Sequence, residues 1–357
     1  NLEIMNNFQI KIFKTFSEEL KNSWEELEKN SSHYVFQTFE WQKFWLEKKI
    51  EHKCDIINYT TLIYENKKLI MILPLNIRNI YKIKTLCWSG FPFSDYNVPL
   101  IIRNKIILKE DFNIIWKLIL GSLLECDCIV LDNQPEKILD LDNPFYYFLN
   151  KKINNEYYGI RLNKDFEIKK NELDNIKYQT NRLEKFGKLV FKIAKDENDK
   201  KKILDFIVQH KSKQYTNTRA WNLFKERFNK EFFVLSNLIM SKKSYITYME
   251  INNEIIAAHS GYIYQNICYY LFPVYNLNYH KYSPGKILLN KIIDESKLNS
   301  IDYFDLTIGS ENYKKNYSNN KFNSATVFHA LNLRGNCYIY LLRFKAFLKK
   351  LKFLIKK

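Results

Sequence analysis

Glycine is scarce in this chain of 357 residues, occurring 8 times against the roughly 25 that an average usage near 7% would supply. No GxGxxG or GxxxxGK[ST] string is present, which removes the simple dinucleotide fingerprint and the Walker-type phosphate loop. Dehydrogenase and kinase readings lose their usual support. Cysteine is sparse too: Cys54, Cys87, Cys126, Cys128, Cys268 and Cys337 are spread out except for one CxC. On a strand that spacing sends the two sulfurs to opposite faces, and no CxxC or Cys/His pairing accompanies it, so the thiols read as reduced and no metal is expected. No 18-residue apolar run occurs, and the opening NLEIMNNFQIKIF lacks the plan of a signal peptide. A cytoplasmic protein is expected.

What is abundant is apolar and basic. Hydrophobic residues make up 46% and aromatics 16%, enough to offset chain entropy and exclude a largely disordered chain. The net charge is +17, which favours anionic partners. Arg334 to Lys357 hold eight basic residues and no acidic one. There Leu341, Phe344, Phe347, Leu348, Leu351 and Leu354 recur at helical spacing, with Lys345, Lys349, Lys352 and Lys356 largely elsewhere. Such a basic amphipathic helix can rest on an anionic membrane surface or dock on the body with its lysines in water.

The patterns repeat. Helical stretches open the chain, then strands over 60–64 and 69–73 flank Glu65-Asn66-Lys67-Lys68 as a hairpin. Strands over 83–88 and 98–102, a helix over 111–125 and a strand over 128–131 follow. After a polar connection come a helix over 176–186, a strand over 189–194 and helices over 197–215 and 223–241. A second hairpin, 245–251 with 254–260, turns at Asn252-Asn253. A strand over 267–274, a helix over 284–298 and a strand over 303–307 complete the unit. The recurring order predicts an internal duplication of one α/β unit, with domains at 1–165 and 166–333 and a basic tail at 334–357.

Particular strings are selective in combination. Tyr282-Ser283-Pro284-Gly285-Lys286, followed by Phe304-Asp305-Leu306-Thr307-Ile308-Gly309-Ser310-Glu311-Asn312-Tyr313-Lys314, resembles the CelD-like group of GNAT-superfamily acyltransferases. Phe36-Gln37-Thr38-Phe39-Glu40-Trp41, Ser94-Asp95-Tyr96 and Ile256-Ala257-Ala258-His259 are similar to further elements of that group, so the resemblance spans roughly residues 15 to 320. The duplicated plan and the Tyr313-Lys314 pair look, more distantly, like the Fem-type aminoacyltransferases. The resemblance implies two tandem GNAT-like α/β domains, each a mixed and mostly antiparallel sheet flanked by helices. It also implies acyl transfer from acyl-CoA or an acyl carrier protein to an amino or hydroxyl group of a sugar nucleotide or polysaccharide precursor. An aminoacyl-tRNA donor, or a non-catalytic sugar-binding module, is the alternative.

Acyl transfer needs a held donor, a base, and a group to stabilise the oxyanion. Ser283, Gly285 and Lys286, with Lys281 nearby, are the donor-binding candidates: serine as N-cap, proline at the first helical position and glycine admitting a pyrophosphate, or simply a well-capped helix. The usual Arg/Gln-x-x-Gly-x-Gly/Ala loop is absent, which keeps acyl carrier protein and tRNA open. His259 is the candidate base or else a hydrogen-bonded structural histidine, and Asp305 orients or replaces it, or pairs with a nearby lysine. Lys314 is a candidate for the oxyanion or a phosphate, or a solvated helix charge; Lys315 is assigned no role. Asp95, Tyr96, Glu311 and Tyr313 are the acceptor-side candidates, with turn formation and core packing as the competing readings.

Overall fold

The computed structural model describes residues 2–5, 7–162, 166–309 and 311–355. Ser310 and the side chains of 349–357 therefore lie outside the described residues, including Leu351, Leu354, Lys349, Lys352 and Lys356 of the tail pattern. The chain is α/β and divides into two units: Asn1–Asn155 with Asn323–Lys357, and Glu156–Phe322.

The first unit contains β1 (Phe8–Phe13), α1 (Glu18–Lys29), α2 (Phe39–Glu51), β2 (Thr60–Glu65), β3 (Lys68–Leu73), β4 (Leu75–Ile80), β5 (Ile83–Trp88), α3 (Lys109–Gly121) and β6 (Cys128–Pro135). Ser17 caps α1 by accepting from the Leu20 N–H, and Leu20, Trp24 and Leu27 recur on its buried face. Asn66 and Lys67 turn the β2–β3 hairpin with positive φ, and the antiparallel register runs on to Leu73. Proline at position 74 ends that strand. With no N–H to give a ladder, it lets the chain leave one sheet and begin β4 in another.

The second unit takes β7 (Lys151–Arg161) from residue 156 onward. It continues with α4 (Lys170–Leu183), β8 (Leu189–Ile193), α5 (Glu197–Thr218), α6 (Arg227–Ile239), β9 (Ser244–Ile251), β10 (Glu254–Tyr264), β11 (Ile267–Tyr275), α7 (Pro284–Leu298), β12 (Tyr303–Ile308) and the short α8 (Asn312–Tyr317). Its strands lie in the order β8-β9-β10-β11-β12-β7. Asn252 and Asn253 turn the β9–β10 hairpin with φ of 51° and 65°, the conformation asparagine tolerates best among non-glycine residues. One face carries the core under α4 and α7, with Met249, Ala257, Tyr270, Ile287, Ile292 and Phe304 in it. The opposite face is covered by α5 and α6: Ser260 bonds to Asn237, and the Tyr248 hydroxyl donates to Asp199.

β11 and β12 are parallel neighbours over Ile267–Tyr269 and Tyr303–Asp305. Past that point β11 stays with β10 and β12 stays with β7, so among the described residues their mutual ladder stops and the sheet opens.

The last segment returns to the first unit. β13 (Asn320–Ala330) pairs antiparallel with β6, from Ser324 opposite Pro135 to Ala330 opposite Cys128. α9 (Leu333–Ile355) follows it. The contacts thus place the chain from 323 onward with residues 1–155, rather than dividing it at 165 and 333, because a ladder to β6 is invisible to a reading of local patterns.

Candidate active site

The opening is marked by a proline. Pro273 of β11 stands opposite His259 of β10. Having no N–H, it can hold that place only where its backbone points away from β10. Its carbonyl is taken instead by the ammonium of Lys211 from α5, at 3.0 Å. Burial lowers the Lys211 pKa to about 8; Glu311 acts to raise it and Lys314 to lower it. That dependence places all three charges within one electrostatic neighbourhood.

The far side of the opening is the end of β12, and it is bent. Thr307 pairs with Tyr158 and Asp305 with Gly159, leaving Leu306 as a bulge. Thr307 then adopts φ of 59°, a costly conformation for a β-branched residue. The Thr307 N–H donates to Asp305 Oδ1 at 2.7 Å, which compensates the strain as an Asx-type turn. Gly309 follows with φ of 139°; a Cβ there would lie 2.1 Å from Glu311 Oε2 and 2.8 Å from Lys314 Nζ. It is this positive φ, more than the two mobile side-chain ends, that calls for glycine here.

Lys314 is buried on the inner side of α8. Its ammonium donates to the Ile308 carbonyl at 2.6 Å and pairs with Glu311 at 3.3 Å. The reading of Lys314 as a solvated helix charge is thereby corrected; exposed Lys315 has that character. Lys211, Glu311 and Lys314 thus gather two cations and one carboxylate around an opened pair of strands. Fixed cations beside a developing negative charge stabilise it strongly where water is partly excluded. A lysine with a pKa near 8 can both take and give a proton near neutrality.

The other candidates fall elsewhere. His259 is fully buried, its ring stacked on Tyr270 with centroids 4.6 Å apart and the backbone of Tyr269 as its polar neighbour. Burial lowers its pKa to about 3, so the ring is neutral at pH 7 and a weak base. Of the two readings, base or structural histidine, the burial favours the structural one, with His259 facing Thr247 across the β9–β10 ladder. Asp305 is also buried, and its Oδ1 accepts from the backbone N–H of Thr307.

At the start of α7, Ser283 adopts φ of 53° and makes no side-chain cap, which corrects its reading as a side-chain N-cap. Its carbonyl accepts from the Lys286 and Ile287 N–H groups. Gly285 faces the ring of Tyr275, 3.3 Å from where a Cβ would stand. Lys286 pairs with Glu172 of α4 at 3.1 Å. Tyr313 is packed against the core of the second unit, its hydroxyl pKa pushed up by burial. Tyr96 belongs to the first unit, where it is fully buried and stacked on Tyr34 at 4.4 Å, its carbonyl accepting from Gln37 and Ser94. That is core packing rather than an acceptor-side surface. Asp95 beside it is half-buried.

Lys211 is the residue that a reading of motifs misses. Its signal is positional: Ile203, Leu204, Ile207 and Val208 form the buried stripe of α5, and Lys200 and Lys211 continue that stripe at either end. A lysine in an apolar stripe must bury its stem and find acceptors. Lys200 finds the Ser241 carbonyl and Lys211 that of Pro273.

Residues 170–315 match the family model for the acetyltransferase (GNAT) domain. The second unit is therefore an enzyme domain, a transferase of the GNAT class, with the Lys211–Glu311–Lys314 group inside the matched span. No curated protein matches the chain. Among solved structures it is similar to FemX, with 7% identity, 88% of this chain and 96% of that chain covered, and a TM-score of 0.55. It is likewise similar to the C-terminal domain of a putative lysylphosphatidylglycerol synthetase from Agrobacterium fabrum, with 10% identity, 89% and 93% covered, and a TM-score of 0.54. L-PGS from Bacillus licheniformis gives 11% identity, 92% and 97% covered, and a TM-score of 0.54. At such identities the likeness is one of fold.

Proposed function

We propose that the protein transfers an acyl group from a thioester or activated ester to an amino or hydroxyl group, with the donor carbonyl seated where β11 and β12 part. The observation that carries this reading is the pairing of a buried cation, Lys314, with a lysine of lowered pKa, Lys211, at that opening. The acceptor's nitrogen or oxygen attacks the carbonyl carbon and its proton passes to the neutral amine of Lys211. Lys314 faces the negative charge developing on the carbonyl oxygen. As the bond from carbonyl carbon to sulfur or ester oxygen breaks, the leaving group takes the proton back from Lys211. Glu311 offsets part of the positive charge of the two lysines.

Acyl-CoA or an acyl carrier protein is the proposed donor, and a sugar nucleotide or polysaccharide precursor the acceptor, the latter resting on the CelD-like resemblance of the motifs. A second reading, transfer from aminoacyl-tRNA, is favoured by the start of α7. Ser283 and Pro284 there leave no glycine-rich run of N–H groups for a pyrophosphate, and a tRNA ester does not require one. The test presents amino-sugar nucleotides to the purified protein with acyl-CoA, acyl carrier thioester or aminoacyl-tRNA in turn. Thiol release with the first two, insensitive to ribonuclease, supports the thioester reading. Transfer abolished by ribonuclease supports the second, and no transfer from any donor contradicts both.

A further inference from the structure

The start of α9 is anchored, and over the described side chains to Leu348 its outer face is exposed. Asn332 donates to Asp127 Oδ1 at 2.9 Å and accepts from the Gly335 N–H at 3.0 Å, capping the helix. Gly335 allows a close backbone approach, since a Cβ there would lie 1.9 Å from the Asp127 carbonyl oxygen. Arg334 reaches the Lys82 carbonyl at 2.7 Å. Gly335 and Ile339 are buried against the unit. On the opposite face Leu333, Tyr340, Leu341, Phe344, Phe347 and Leu348 are each between 40% and 83% exposed. At 100° per residue these six fall within one continuous arc, and the basic side chains Arg334, Arg343 and Lys345 border it on both sides. Arg343 lies 5.3 Å over the ring of Phe328, and Lys345 lies 5.9 Å over the ring of Tyr81, itself 83% exposed at the tip of the β4–β5 hairpin.

We infer that this face of α9 lies on an anionic lipid surface, with its apolar arc in the acyl boundary and its basic borders at the headgroups. Charge complementarity selects the occupant: the segment from Arg334 onward carries eight basic residues and no acidic one, while an apolar arc of this width is unfavourable in water. Among the described residues no helix is long and apolar enough to cross a membrane, so α9 rests along the surface.

The test is flotation of the whole protein with vesicles of phosphatidylcholine alone or with about a third phosphatidylglycerol. The expected result is binding to the anionic vesicles about a hundredfold above the neutral ones, from three bordering cations at roughly 1 kcal/mol each, weakening as salt rises. A Phe344→Asp/Phe347→Asp double variant loses this binding with an unchanged melting temperature, because both rings are already in water. Arg343→Glu/Lys345→Glu loses the preference for anionic lipid. Absence of binding to anionic vesicles, or equal binding by the Phe344→Asp/Phe347→Asp variant, overturns the inference. So does an α9-dependent dimer in light scattering without vesicle binding, which would make a second copy the occupant.

Discussion

The ammonium of Lys211 donates to the carbonyl of Pro273 across 3.0 Å, joining a helix on one face of the sheet to the strand that borders its opening. Because burial brings this lysine to about 8, its neutral form becomes the majority just above physiological pH. We expect kcat/KM to rise with pH, reach half its maximum near 8 and level off about one unit above that, and Lys211→Met to lower kcat by about 10²- to 10⁴-fold while abolishing that limb. A flat profile, or full activity in the variant, removes Lys211 from the chemistry.

Glu311 raises the pKa of Lys211 through its charge. In Glu311→Gln the protonated amine loses that support, so the midpoint of the activity profile moves to lower pH. An unmoved midpoint shows that the two groups do not interact in the working enzyme.

Lys314 is held by the Ile308 carbonyl and Glu311. Lys314→Met retains the apolar stem, and its expected effect is a fall in kcat of about 10²-fold or more with KM little changed. A rise in KM alone, with kcat intact, assigns the ammonium to ground-state binding instead.

Asp305 separates structure from chemistry. Asp305→Asn keeps an oxygen for the Thr307 N–H and is expected to keep most activity, whereas Asp305→Ala releases a strained turn and lowers both stability and activity, by about 1–3 kcal/mol in stability. Thermal melts and rates on the same preparations check this. Strong loss of rate in a fully stable Asp305→Asn protein makes the carboxylate catalytic.

His259 is neutral in the folded protein, with a pKa of about 3 against about 6.5 when exposed. Since the unfolded chain binds the proton first, this group contributes no loss of stability above about 6.5. Stability then falls as pH drops toward about 3. His33, lowered to about 4 by burial, adds to the same acid window. Denaturation midpoints from pH 7 to 4 are expected to decline less steeply in His259→Phe; identical slopes contradict the assignment.

Much of this architecture was open to reading because local chemistry declares it. Asn252-Asn253 marks a hairpin, Pro284 a helix start, and alternation the strands that flank both. The α8 motif pointed to Lys314 for the same reason. Three features were not legible. β4 followed Pro74 too closely to read as a new strand. The pairing of β6 with β13 joins segments some two hundred residues apart, with no local trace. The neutrality of His259 and the lowered pKa of Lys211 arise from burial by other elements, so His259 looked like a base and Lys211 looked like one lysine among many.

Where the donor carbonyl rests decides the mechanism, and a crystal structure with a non-hydrolysable acyl thioether bound tests it directly. The expected position of its carbonyl oxygen is between β11 and β12 within hydrogen-bond distance of Lys314, with the Lys211 amine facing the open side. A carbonyl bound outside that opening, or Lys211 still closed on Pro273 with the ligand elsewhere, contradicts it.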